Sequence, residues 1–347
     1  MNKLLITAGL KTYLQMKILK LIALFILLAT ACVAQTPNST DKSFGAGIDS
    51  TETIDIGGIK QVISIKGKDS TKPVLLYLHG ANGSGASFIA RADKLISKLQ
   101  EHFVVVLWDQ REYGKTLELN KSPQPLTLNL TKNDTHEVIE YLLKRFERKK
   151  LYLIGHSMGT VLGFHVAQKY PELLSAFVVM SPPVNDMESR RVALDKMKTY
   201  FKKINNQRAI DELATVQIPT TDFEQTLIQF RWQTEFDGEK VTDEQMEEIK
   251  PMLRQWEKNW GGIFKEISEM NQMENIPSLQ CPVYFFAGRK DFQTNATITE
   301  KFYKKLKAPK KNFFWFEKSG HNLPETETAL MQDIIINKIL PATRELK

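Results

Sequence analysis

Beyond about residue 70 the apolar residues of this chain gather into short, nearly continuous runs. They read "PVLLYLHG", "FVVVLWD", "LYLIGHS", "AFVVMSP", "VYFFAGRKD" and "NFFWFEKSGH", beginning at Pro73, Phe103, Leu151, Ala176, Val283 and Asn312. A strand with one face in water alternates apolar and polar residues; consecutive apolar residues mark parallel strands buried on both faces. Only one early stretch alternates. In "TETIDIGGIKQVISIKG", residues 51–67, the two kinds take turns around Gly57 and Gly58, which predicts a β-hairpin. Between the runs lie segments with helical periodicity, 87–100, 132–147, 158–169, 294–306 and 325–340. The predicted class is therefore α/β, a mostly parallel central sheet flanked by helices.

One interval breaks the alternation. From 184 to 279 no run reads as a strand, while helical patterning is abundant and Trp232, Trp256 and Trp260 stand among charged residues. The insertion follows "VVMSPP", at the C-terminal end of the sixth predicted strand, the edge at which open α/β sheets bind ligands. It is read as a helical cap over 184–279, on a core made of 51–183 and 280–347.

The N-terminus changes the picture of where the protein works. From Met16, which could itself be the start, "MKILKLIALFILLATACVAQ" has a short basic head, an apolar run and small residues, the layout of a secretory signal over residues 1–34. Its apolar run, 21–28, is shorter than the roughly 20 residues that a membrane span needs. Two endings are open. "LLATAC" resembles a bacterial lipobox, which would make Cys32 a lipidated first residue and anchor the protein to a membrane; cleavage after "CVA" would leave Gln35 first and the protein soluble. Both place it in the periplasm or cell envelope, with a polar linker at 35–50.

The formal charge of +7 loses most of its meaning once the leader is set aside, because Lys3, Lys11, Lys17 and Lys20 supply four of the seven excess positive charges. No basic run carries interleaved aromatics, and "KRFERKK" closing an amphipathic segment is a basic helix end, so a nucleic-acid partner is not expected. Cys32 and Cys281 are the only cysteines, which excludes a disulfide framework; no Cys/His cluster has zinc spacing, so no metal is expected. Cys281, at the start of an apolar run, reads as a small buried hydrophobe.

Within the third parallel run, "GHSMG" sets Ser157 between Gly155 and Gly159. Alone, the pattern arises by chance in roughly one chain in ten of this length. Its context is stronger, because it follows an apolar strand and opens a helix closed by Tyr170 and Pro171, the strand-turn-helix of a nucleophile elbow. A serine hydroxyl needs a base to take its proton and an acid to orient that base. Downstream, in the order expected for such an elbow, Asp291 follows one strand and His321 the next. All three fall at the same sheet edge. Asp186 and Asp109 are rival acids, the first at the cap hinge and the second before the serine, where it would hold its own loop. The amides of Met158 and Ala81 are the candidate oxyanion donors, with His79 shaping the loop "LHGANG". His156, His165, His136 and His102 read as structural.

These motifs together make the chain resemble the α/β-hydrolase superfamily. "LHGANG", "WDQREYGKT" and the long cap are most similar to the proline iminopeptidase group, serine peptidases that remove N-terminal proline. The resemblance implies cofactor-free acyl transfer through a Ser157–His321–Asp291 triad. It also points to a cap carboxylate for the substrate's free amine, for which "RQWEKNW" offers Glu257 between Trp256 and Trp260. The chain departs from the group at the elbow, where "GHSMG" is the form common among esterases and lipases, and at Glu112, where the group has glycine. The expected substrate is thus a small ester, an amide or a short peptide. A lipid-active enzyme at a membrane and a non-catalytic binding protein on the same fold are the alternatives.

Overall fold

A computed structural model describes residues 45–81, 86–237 and 240–344. The signal, Cys32 and most of the predicted linker lie outside them. Eight strands form one sheet: β1 (Ile48–Ile56), β2 (Ile59–Gly67), β3 (Val74–Leu78), β4 (Val104–Asp109), β5 (Leu151–His156), β6 (Leu174–Met180), β7 (Val283–Gly288) and β8 (Lys311–Phe316). Their order is β1-β2-β4-β3-β5-β6-β7-β8. β1 and β2 form the predicted hairpin, turning on Gly57 and Gly58, which both have the positive φ that a two-residue hairpin turn requires. Pairing runs on to Ile48 opposite Gly67, so the first strand starts inside the predicted linker. β2 is antiparallel to β4, and every later pairing is parallel.

The continuous apolar runs are explained by what each sheet face meets. Val74, Leu76 and Leu78 of β3 join the cluster beneath α1 (Leu128–Arg145), α2 (Met158–Lys169) and the later helix Ala296–Lys305, whereas Leu75 and Tyr77 join the opposite cluster against Ile334, Ile335 and Ile339. β4 and β5 divide in the same alternating way. Cys281 is buried in the first cluster, and burial pushes its thiol up to about 12, so it packs as an inert apolar group.

Two predicted helices differ. The stretch 87–100 breaks into three short turns, because its amides go to tertiary acceptors: Phe88 and Ile89 donate to Asp109, and Lys98 to Gln332. The C-terminal helix runs on to Arg344 with a wide turn at Ile335–Ile339, just before Pro341, which has no amide to donate.

The cap follows β6 as predicted. It consists of α3 (Asp186–Lys203), α4 (Gln207–Thr215), α5 (Phe223–Phe236) and α6 (Asp243–Ser268), followed by one turn at Gln272–Asn275. Thr242 and Gln245 close a capping box at the start of α6. Its two ends meet in a neck, where Asn185 bridges Asn271 and the Gln272 amide donates to the Val184 carbonyl at 2.7 Å.

Candidate active site

The elbow is built by backbone strain and close approach. Ser157 joins β5 to α2 with φ 52° and ψ −123°, a conformation costing a non-glycine residue about 1–3 kcal/mol, and its amide is held by the Met180 carbonyl at 2.9 Å. Neighbouring backbone leaves no room for side chains beside it. A Cβ on Gly155 would stand 2.8 Å from the Gly159 carbonyl oxygen, and one on Gly159 would overlap the Leu78 carbonyl. The turn after β3 presses on the serine as well, because a Cβ on Gly80 would come within 2.9 Å of the Ser157 Cβ.

The three predicted groups come together from the ends of three strands. His321 Nε2 lies 3.0 Å from Ser157 Oγ, and His321 Nδ1 lies 3.2 Å from Asp291 Oδ2. Asp291 accepts two further bonds from Thr294, at 3.0 Å from the amide and 2.8 Å from the hydroxyl. Burial opposes its charge, but the His321 ring and the Thr294 donors outweigh that cost and hold the carboxyl at about 2. The network assigns the His321 proton to Nδ1, donated to Asp291, which leaves Nε2 to accept from the serine hydroxyl. The acid is dry and the base within reach, with side-chain exposures of 2% and 15%.

Three contacts around this line carried no signal in the pattern. Thr294 secures the acid. His156 donates from Nε2 to the His321 carbonyl at 3.0 Å, and the Ser181 hydroxyl donates to the same oxygen at 3.1 Å. The backbone of the base is thus clamped by two side chains. Burial, reinforced by the neighbouring His321, lowers His156 to about 3, so it remains neutral and keeps a proton for this bond. Its sequence position beside the serine was visible, but its partner lies 165 residues away.

The rival acids are engaged elsewhere. Asp109 takes the Ser87 hydroxyl at 2.6 Å and the amides of Phe88, Ile89 and Lys115, so it does hold its loop. Asp186 pairs with Arg190 at 2.7 Å in the first turn of α3. His79 is buried and accepts from the Gln110 amide while its Nδ1 donates to the Gly80 carbonyl at 2.7 Å; burial lowers it to about 4. Ala81 follows Gly80 beside the serine, and the Met158 amide is the first of α2, with no acceptor inside the helix.

The three predicted cap residues differ in burial. Trp260 is 3% exposed and packs into the main core, its ring 4.6 Å from that of Tyr113. Trp256 is half-buried against Phe264, and Glu257 is exposed. The helix period explains this, since 256, 260, 263 and 267 share the inward stripe of α6 and 257 lies off it. At Glu112 the backbone takes φ 63°, the left-handed conformation for which glycine is better suited, and its carboxylate accepts from the Ser122 amide at 2.8 Å.

Comparison with known proteins agrees with this fold. The chain is 28% identical over 301 residues to the probable aminopeptidase YbaC of Bacillus subtilis, covering 81% of this chain and 93% of that protein. Among solved structures, the 2-hydroxy-6-oxo-6-phenylhexa-2,4-dienoate hydrolase of a Rhodococcus species is similar over 84% of this chain and 99% of its own, with TM-score 0.55 and 18% identity. A proline iminopeptidase-related protein of Thermus thermophilus is similar over 83% and 98%, with TM-score 0.52 and 16% identity. Residues 73–328 match the family model of the alpha/beta hydrolase fold, and the chain belongs to that family.

Proposed function

We propose that this protein is a serine hydrolase that cleaves ester or amide bonds through Ser157, His321 and Asp291. The observation that carries the reading is the unbroken line of hydrogen bonds, 3.0 Å from Ser157 to His321 and 3.2 Å from His321 to Asp291. As the Ser157 oxygen attacks the acyl carbon, its proton passes to His321 Nε2 and the carbonyl oxygen becomes an oxyanion facing the Met158 and Ala81 amides. His321 then protonates the leaving amine or alcohol as its bond to the acyl carbon breaks. Water, deprotonated by His321, attacks the resulting ester on Ser157, and the acid leaves as the serine regains its proton. Asp291 stays charged throughout and steadies the imidazolium. These steps need no cofactor.

For the substrate we favour a short peptide with a free N-terminus, supported by the similarity to a probable aminopeptidase over most of both chains. An esterase is the second reading, favoured by the "GHSMG" elbow. The proposal includes export by the leader and, if the lipobox is used, anchorage through Cys32.

A fluorophosphonate probe is expected to label the wild type and to leave Ser157→Ala unlabelled; a folded wild type that stays unlabelled would refute the enzyme. A panel of aminoacyl arylamides, prolyl among them, set against short and long esters separates the two readings. Turnover confined to the esters would reject the aminopeptidase. Palmitate labelling lost in Cys32→Ser tests the anchor.

A further inference from the structure

Along the helix that starts at Ser157, His165 and Gln168 open into a cleft of about 120 Å³ that the proposed chemistry does not use. Lys132 of α1 forms a second wall, and Met270, Gln272 and Asn275, where the cap returns to the core, form a third.

Its charges are unbalanced. Lys132 is half-buried and pairs with no carboxylate among the described residues; burial pushes its amine down, and the exposed Glu266 of α6 opposes this only from a distance. His165 is likewise lowered, first by burial and then by the positive charge of Lys132, Lys169 and His136. Of these, His136 alone among the described residues has an acid within 4 Å, Glu140 at 3.7 Å. A half-buried ammonium with no carboxylate in contact among the described residues is a costly arrangement that an incoming anion relieves.

The neutral groups point the same way. Gln272 is 5% exposed, and among the described residues its side-chain amide donates only to the Met270 sulfur at 3.8 Å, a weak acceptor. Gln168 offers a further amide group at the rim, one hydrogen of which goes to the Asn275 carbonyl at 3.1 Å. Amide donors and positive charge thus line one void, alongside the side-chain carbonyls of the same glutamines and of Asn275.

We infer that this cleft binds a small oxyanion, a carboxylate or phosphate group, held by Lys132, His165 and the Gln272 amide. The site is independent of the triad. The backbone amide of Gln272 donates to Val184 across the cap neck at 2.7 Å, so an occupant joins the nucleophile's helix to the base of the cap.

Calorimetric titration of the full chain with sodium phosphate and, separately, sodium acetate, with chloride adjusted to constant ionic strength, tests the inference. Saturable one-site binding of at least one titrant is expected, and which of them binds identifies the group. Lys132→Gln should weaken it roughly tenfold or more, as loss of a charge-assisted contact does, and His165→Leu, which removes a neutral ring N–H, several-fold; both variants are checked for folding by circular dichroism. Lys150→Gln, exposed and outside the cleft lining, should bind as the wild type. Absence of saturation with both titrants, or unchanged affinity in either cleft variant, overturns the inference. Because the readout is binding rather than turnover, its failure is distinct from failure of the hydrolase reading.

Discussion

The core and the cap differ in where their most conspicuous polar networks lie. Beneath the hairpin, Arg111 meets Asp134 at 2.8 Å with 1% of each side chain exposed. Gln61 donates to the same carboxylate, and Trp108 donates to Gln61. Arg111 also donates to the Gly57 carbonyl. In the cap a small cluster around Leu194, Met197, Phe201, Leu213 and Trp232 holds the helices, and apart from the buried Arg231, which pairs with Asp243, its ion pairs are at least partly exposed: Arg208 reaches Glu212 and Asp243 with 51% of its own side chain exposed. A buried polar group persists only when other buried groups satisfy it, which makes the geometry rigid; an exposed ion pair exchanges with water at little cost. The proposed chemistry stands on the rigid part.

Substitutions can break or sharpen this contrast. The largest effect is expected for Asp291→Asn, a fall in kcat of about 10⁴-fold, because the amide no longer selects the His321 tautomer that accepts from serine. Asp186→Asn at the cap hinge should leave kcat unchanged; steady-state kinetics on whichever substrate is turned over compares the two, and equal losses would dissolve the distinction. Next comes Arg111→Ala, which strands Asp134 without its partner and should cost about 3–5 kcal/mol in urea unfolding.

Acid should act on the core first. His79 and His156 titrate at about 4 and about 3 in the folded chain, below the ordinary 6.5, so the unfolded chain takes up protons before the folded one does. Their stabilisation is complete above pH 6.5 and drains as the pH falls toward those values, by up to about 1.4 kcal/mol per unit for each histidine. Asp291, at about 2 against 3.8, adds its own loss only between those two values. The cap helices contain no histidine. Urea midpoints measured from pH 7 to 5 should therefore fall steadily, and a flat profile would contradict the buried neutral histidines.

A smaller effect is expected from His156→Leu, which takes one of two donors from the His321 carbonyl. It should lower kcat roughly tenfold with little change in KM, the cost of a slightly misplaced base. His156→Gln keeps an N–H and should recover most of the loss, whereas a merely space-filling role would favour leucine. Smallest of all is Arg208→Ala, whose exposed pairs should leave the urea midpoint almost where it was.

Local pattern was enough for the hairpin, the buried parallel strands, the cap's place after β6 and the order Ser157, Asp291, His321. Each of these depends on which face of an element is apolar, on a turn that only certain residues allow, or on residues that end strands, and all of that is written within a few positions of the chain. The broken helix at 87–100 was not legible, because its amides are captured by Asp109 and Gln332, which are remote in sequence. Nor were the partners of polar atoms. His156 and Ser181 meet on the His321 carbonyl, and Glu257 is exposed while Trp260 is buried. Burial of apolar groups has no direction and follows composition, but a hydrogen bond requires two particular atoms at one distance and angle. That meeting was decided by the sheet order, which brings the ends of β5, β6, β7 and β8 side by side.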